Sequence, residues 1–135
     1  MSTFPLKIVT PDGLIYDGEA ERLIVRTTVG DLAVLAKHIN CVAALGMGRA
    51  TVVDAAGQRR YAACIGGLLS VVDGSVTLVP TTFEWAENID TARAEASQQR
   101  AEKILHSKDA SGNDIRLAQA RLHRALVRKS VASFK

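Results

Sequence analysis

The chain has 135 residues, of which 47% are apolar and only 4% aromatic, so any core must be built from Val, Ile, Leu and Ala. That length allows one compact core and a small extra element and excludes two full domains. The net charge of +3 is modest but uneven: residues 1–85 hold seven Lys/Arg and eight Asp/Glu, whereas residues 86–135 hold ten and six. A basic tail suits an acidic or phosphorylated partner, and it equally suits a solvated helix face.

The opening Met1-Ser2-Thr3-Phe4-Pro5 lacks the basic and apolar regions of a signal peptide. No apolar run approaches the roughly 20 residues that span a bilayer. The expectation is a soluble cytoplasmic chain, without direct membrane insertion, that can sit on a membrane complex.

Leu6–Thr10 alternates, Pro11-Asp12-Gly13 turns the chain and Leu14–Tyr16 returns, a hairpin signature. Asp17-Gly18 reads as the next turn, followed by a strand at Leu23–Thr28 that ends before Gly30. Short apolar runs follow at Leu32–Leu35 and Cys41–Leu45, and Gly46-Met47-Gly48 breaks the second before Arg49–Val53. Ala55-Ala56-Gly57 turns into Arg59–Ile65, where Gly66-Gly67 marks a bulge or a close backbone approach. Leu68–Val72 and Ser75–Val79 flank Asp73-Gly74, a type I′ hairpin signal. Eight to ten short strands at this spacing read as a sandwich or flattened barrel.

After Trp85 the composition changes to Ala, Arg, Glu, Gln and Leu. Asn88 or Asp90 can cap a helix over 90–107, with Ala94, Ala101 and Leu105 on one stripe. Ser111–Asp114 stops it and caps a second helix, in which Ile115, Ala118, Leu122 and Ala125 recur and Leu126 widens the stripe. A short link between two helices predicts an antiparallel hairpin. Strands followed by helices, without alternation, give an α+β class: a β domain over 1–85 and a helical hairpin over 86–135. Alanine-rich stripes bury little, about 0.8 kcal/mol per methyl against roughly 1.5–3 for a Leu. A hairpin of this kind docks weakly enough to be switched by a ligand.

The chemistry-bearing residues are sparse. Cys41 and Cys64 sit in apolar runs and read as buried thiols of a reducing compartment, a disulfide being the lesser alternative. His38 has no Ser, Cys or carboxylate beside it in a nucleophile motif. Gly46-Met47-Gly48 lacks the Lys-Ser/Thr of a phosphate loop, and neither cysteine has metal-ligand spacing. Asp90 and Arg93 share the first turn of helix one, and Arg121, Arg124 and Arg128 share a face of helix two. Guanidinium forks match phosphate oxygens; ordinary helix salt bridges use the same residues. The second helix carries no base-reading aromatic or amide beyond Gln119, so a nucleic-acid adaptor is disfavoured.

Three segments taken together, Leu6–Glu21, Tyr61–Val71 with its glycine pair, and Ala86–Ala94 with its Ile-Asp-x-x-Arg-Ala pattern, resemble the epsilon subunits of bacterial F-type ATP synthases over nearly the whole chain. The resemblance implies a ten-stranded β-sandwich with a C-terminal helical hairpin. It implies a non-catalytic place in the central stalk, at the cytoplasmic face of the cell membrane, between the gamma subunit and the c-ring. The extended helices would reach the alpha/beta head and inhibit ATP hydrolysis. No cofactor is required, but ATP is implied as a regulatory ligand at Glu84, Ile89, Asp90, Arg93, Ala94, Arg124 and Arg128, with Asp31 and His38 at subunit interfaces. Where the family pattern has Pro, this chain has Ala36 and Asn40, so the loop there is expected to be softer or differently shaped. The alternative is a stand-alone ATP-sensing or nucleic-acid-binding adaptor, with no partner subunits.

Overall fold

The computed structural model describes residues 2–134. They divide between Trp85 and Ala86 into two compact units. The first holds seven strands: β1 (Phe4–Thr10), β2 (Gly13–Thr27), β3 (Gly30–Val34), β4 (Cys41–Ala44), β5 (Met47–Asp54), β6 (Arg59–Val72) and β7 (Ser75–Trp85). They pair in the order β1-β7-β6-β5-β2-β3, β4 adds to β6, and a further β1–β2 pairing closes the sheet on itself. All pairs are antiparallel except β1 with β7. This is a flattened barrel whose two halves face each other as a sandwich.

Seven strands stand where ten were expected, because three long strands each serve two neighbourhoods. β2 pairs with β1 up to Ala20, shifts register between Ala20 and Arg22, then pairs with β5 and β3. β6 pairs with β5 through Ile65 and with β4 from Leu68. β7 pairs with β6 along its whole length in one register and with β1 only at Val76–Leu78. Asp17-Gly18, expected to turn the chain, instead lies within β2 opposite Lys7 and Leu6. The expected break at Gly46–Gly48 is confined to Gly46, since β5 begins at Met47.

The glycine pair is a close backbone approach that leaves the β6–β7 register unshifted, with φ of 69° at Gly66 and 100° at Gly67. A Cβ on Gly67 would also collide with the carbonyl oxygen of Val79, so both conformation and space demand glycine there. Asp73 and Gly74 both take positive φ, 49° and 83°, as a type I′ turn requires.

Alternate residues point into one core formed around Leu6, Ile8, Leu23, Val25, Leu69 and Leu78. At its end Trp85 meets Phe83 edge-on, ring centroids 4.9 Å apart, while the Arg60 guanidinium lies 3.7 Å over the indole. Of the two free thiols, Cys64 is buried and its pKa is pushed up to about 12 by burial. Cys41 is only half-buried, against expectation, because β4 is a short strand hydrogen-bonded to β6 alone.

The second unit begins with a single 3-10 turn, Ala86–Asn88, followed by α1 (Thr91–Leu105) and α2 (Gly112–Ala132). Asp90 is the N-cap of α1, accepting from Arg93 N at 3.0 Å. Ser111 and Asp114 form a reciprocal capping box on α2. The two helices pack on each other. Their buried positions include Ala94 and Ala101 on α1 and Ala118 and Ala125 on α2. Each pair is seven residues apart, two turns on one face. Leu126 does not widen the stripe: it is 44% exposed, since one residue past Ala125 turns the side chain by about 100°.

Candidate functional site

Glu84, Ile89, Asp90, Arg93 and Ala94 span the passage from strand to helix, and they fall into distinct physical roles. Glu84 is a half-buried residue of β7 opposite Ala63 of β6. Ile89 and Ala94 are closed to solvent, so their side chains serve packing, and Ala94 N donates to Asp90 O at 3.1 Å. The Asp90 carboxylate is engaged in capping, which satisfies one of the orphan N–H groups of the helix start. The Arg93 side chain is exposed.

Antiparallel packing brings the end of α2 alongside the start of α1. The tie is Lys129, whose Nζ lies 2.5 Å from Glu95 Oε2 and donates to Gln98 Oε1 at 2.7 Å. Gln98 Nε2 in turn donates to Glu102 Oε1 at 2.8 Å. The Lys129 ammonium, by hydrogen bond and by charge, holds the Glu95 carboxyl below its ordinary pKa. Arg128, adjacent to Lys129, therefore lies at the same end of the hairpin as Arg93. Arg124 stands about one helical turn further along α2 and is exposed. Arg93, Arg128 and Lys129 thus lie toward one end of the helix pair, with Lys129 already paired to Glu95.

The other expected residues, Asp31 and His38, lie in the sandwich unit. Asp31 stands directly opposite Arg26 across the β2–β3 ladder, and Arg26 Nη1 donates to its Oδ1 at 3.2 Å. His38 sits in the loop before β4, half-buried, with its Nδ1 donating to Ile39 O at 2.8 Å. Cys41 Sγ lies 4.0 Å from that same nitrogen, a neighbour three residues on that motif reading passed over. Since Nδ1 carries the proton given to Ile39 O, it cannot take one from the thiol, and the pair is not a nucleophile–base dyad. The loop is tied differently where the expected Pro is missing: Asn40 Oδ1 accepts from Asp73 N at 2.8 Å.

Sequence reasoning missed Arg26 and Lys129. Arg26 was legible in principle, because a turn over Thr27–Gly30 places residues 26 and 31 opposite each other. Lys129 depended on the offset between two helices, which no local pattern records.

Among the described residues no group of His, Cys, Asp and Glu could hold a metal, and no helix is long and apolar enough to cross a membrane. Two family models match in succession: the beta-sandwich domain of the ATP synthase Delta/Epsilon chain over residues 3–86, and its long alpha-helix domain over 87–133. They define the class as a two-part chain, sandwich first and helices second. The chain belongs to the ATP synthase delta/epsilon chain family. It is 43% identical over 132 residues to the ATP synthase epsilon chain of Bacillus velezensis, covering 98% of each chain. The fold is shared with a chain of the Euglena gracilis mitochondrial ATP synthase, described as OSCP/F1/c-ring in rotational state 1. There the TM-score is 0.85 at 21% identity, covering 100% of this chain and 83% of the other. A chain of the Tetrahymena thermophila mitochondrial ATP synthase, from a central stalk/c-ring structure, aligns with a TM-score of 0.60 at 15% identity over 95% of each.

Proposed function

We propose that this chain is the epsilon subunit of a bacterial F-type ATP synthase. It works as a non-catalytic member of the central stalk, joined to the gamma subunit and the c-ring through the sandwich, on the cytoplasmic face of the cell membrane. The observation that carries this reading is the end-to-end match: both family models in order, and a relative aligned over 98% of both chains. The hairpin serves as a brake on ATP hydrolysis, and its small-residue interface supports that role because little apolar surface must be exposed to rearrange it. ATP is the ligand that favours the folded hairpin, held by Arg93, Arg124 and Arg128 near the start of α1 that Asp90 caps.

Deleting residues 86–135 tests the brake: the assembled enzyme should keep ATP synthesis and hydrolyse ATP faster. Hydrolysis that stays at the wild-type rate removes the inhibitory role while leaving the stalk role standing. For the ligand, calorimetric titration of the full chain should show ATP binding that Arg93→Ala weakens by about 1.5–3 kcal/mol, one charge-assisted contact. Absence of binding to the wild type at millimolar ATP would rule the site out.

A further inference from the structure

The two helices are joined covalently at one end only, through the link of residues 106–111. Toward the other end a chain of polar side chains crosses between them. Lys129 of α2 spends two of its three N–H donors on α1: Nζ lies 2.5 Å from Glu95 Oε2 and donates to Gln98 Oε1 at 2.7 Å. Glu95 and Gln98 are three residues apart, neighbours on one helical face. Gln99 Nε2 donates to the second Glu95 oxygen at 3.4 Å, and Gln98 Nε2 to Glu102 Oε1 at 2.8 Å. Both acceptors are therefore held by α1 itself, so less side-chain freedom is lost when the ammonium docks.

The Gln98 amide has one allowed orientation. Lys129 only donates and an ionised Glu102 only accepts, so the amide oxygen faces the first and the nitrogen the second. The tie is thus directed: position 129 must carry the donor. It is also open to water, since the Lys129 and Glu95 side chains are 37% and 45% exposed. A pair so placed gains a modest attraction that salt screens, and both partners regain water on separating. The buried alanines, Ala94 and Ala101 on α1 and Ala118 and Ala125 on α2, carry no charge for salt to screen.

We propose that Lys129 is the release latch of the hairpin: it holds the end of α2 to Glu95 and Gln98, and its salt-dependent strength sets how readily the helices part. The inference rests on the brake reading above and deepens it, by naming the contact that breaks before the helices extend. The alanine interface supplies a small and constant resistance to opening. The latch supplies the part that ionic surroundings can vary.

The test pairs amide exchange in the full chain with ATP hydrolysis by the enzyme assembled on it. Lys129→Met keeps an apolar stem and removes the charge. Exchange in α1 and α2, with β6 and β7 as internal standards, should quicken about fivefold at low salt. Rising salt should quicken it in the wild type, and most of that response should be absent from Lys129→Met, which lost packing alone would not produce. Glu95→Lys combined with Lys129→Glu restores the attraction but sets the Gln98 amide against Glu102, so only part of the protection should return. The enzyme assembled with Lys129→Met should hydrolyse ATP more slowly than wild type, because the helices extend more readily. Wild-type exchange in Lys129→Met, an undiminished salt response, or full recovery by the charge exchange overturns the latch. So does wild-type hydrolysis by Lys129→Met in an enzyme that loss of residues 86–135 accelerates. If that deletion leaves hydrolysis unchanged, the brake reading falls by itself and the exchange comparison still decides the latch.

Discussion

The two units of this chain are held together by different means. The sandwich buries Leu6, Ile8, Leu23, Leu69 and Leu78 almost completely and closes its sheet through the β1–β2 pair. Among its buried positions the hairpin offers chiefly alanines, and it relies on a capping box and a Lys129–Glu95–Gln98 tie. Apolar burial is non-directional and indifferent to salt, whereas exposed polar ties are weak and respond to pH and ionic strength. The difference teaches that one unit is suited to transmit force as a body and the other to change its arrangement at small cost.

The contrast is sharpened most by removing core volume. Leu78→Ala should destabilise the sandwich by about 2–5 kcal/mol, whereas Ala118→Gly in the hairpin should cost only about 1 kcal/mol. Urea titration followed by the single tryptophan, Trp85 at the end of β7, reads the first; helical circular dichroism reads the second. Comparable losses would erase the distinction between the units. Next in size, Gly67→Ala should cost about 3 kcal/mol through strain at φ 100° and the blocked Val79 carbonyl. A melt within a degree of wild type would mean the β6 backbone relaxes freely there.

A smaller effect should follow pH. Lys129 lowers the Glu95 pKa in the folded hairpin, so this pair contributes stability that is present above the unfolded carboxylate value. The contribution disappears as pH falls below the unfolded carboxylate value and through the lower folded one. Amide exchange in α1 and α2 should accelerate there, and Lys129→Met should remove the pH dependence while leaving the β6 and β7 amides as protected as before. Equal acceleration in both units would place the sensitivity elsewhere. The smallest effect is chemical: at pH 8 iodoacetamide should alkylate half-buried Cys41 and spare Cys64, whose thiol is held neutral by burial. Both thiols reacting at one rate would show the sandwich opening on the timescale of the label.

Local chemistry decided what the sequence by itself determined about this protein. The Asp73-Gly74 turn, the close approach at Gly66-Gly67, the Asp90 and Ser111 caps and the two helices each depend on the conformational range of a few adjacent residues. They stand where the residues alone put them. The order of strands before helices sufficed for the α+β class. Tertiary pairing decided the rest. β2 runs straight through Asp17-Gly18 because β1 supplies a hydrogen-bonding partner at both positions, which overrides their preference for turning. Three long strands each pair with more than one neighbour along their length, so the strand count was never a local property. Asn40 and Asp73 are thirty-three residues apart, and Glu95 and Lys129 thirty-four. Each pair is joined only after strands or helices have packed, since contacts between distant residues are set by the fold and leave no mark in the spacing of the residues that make them.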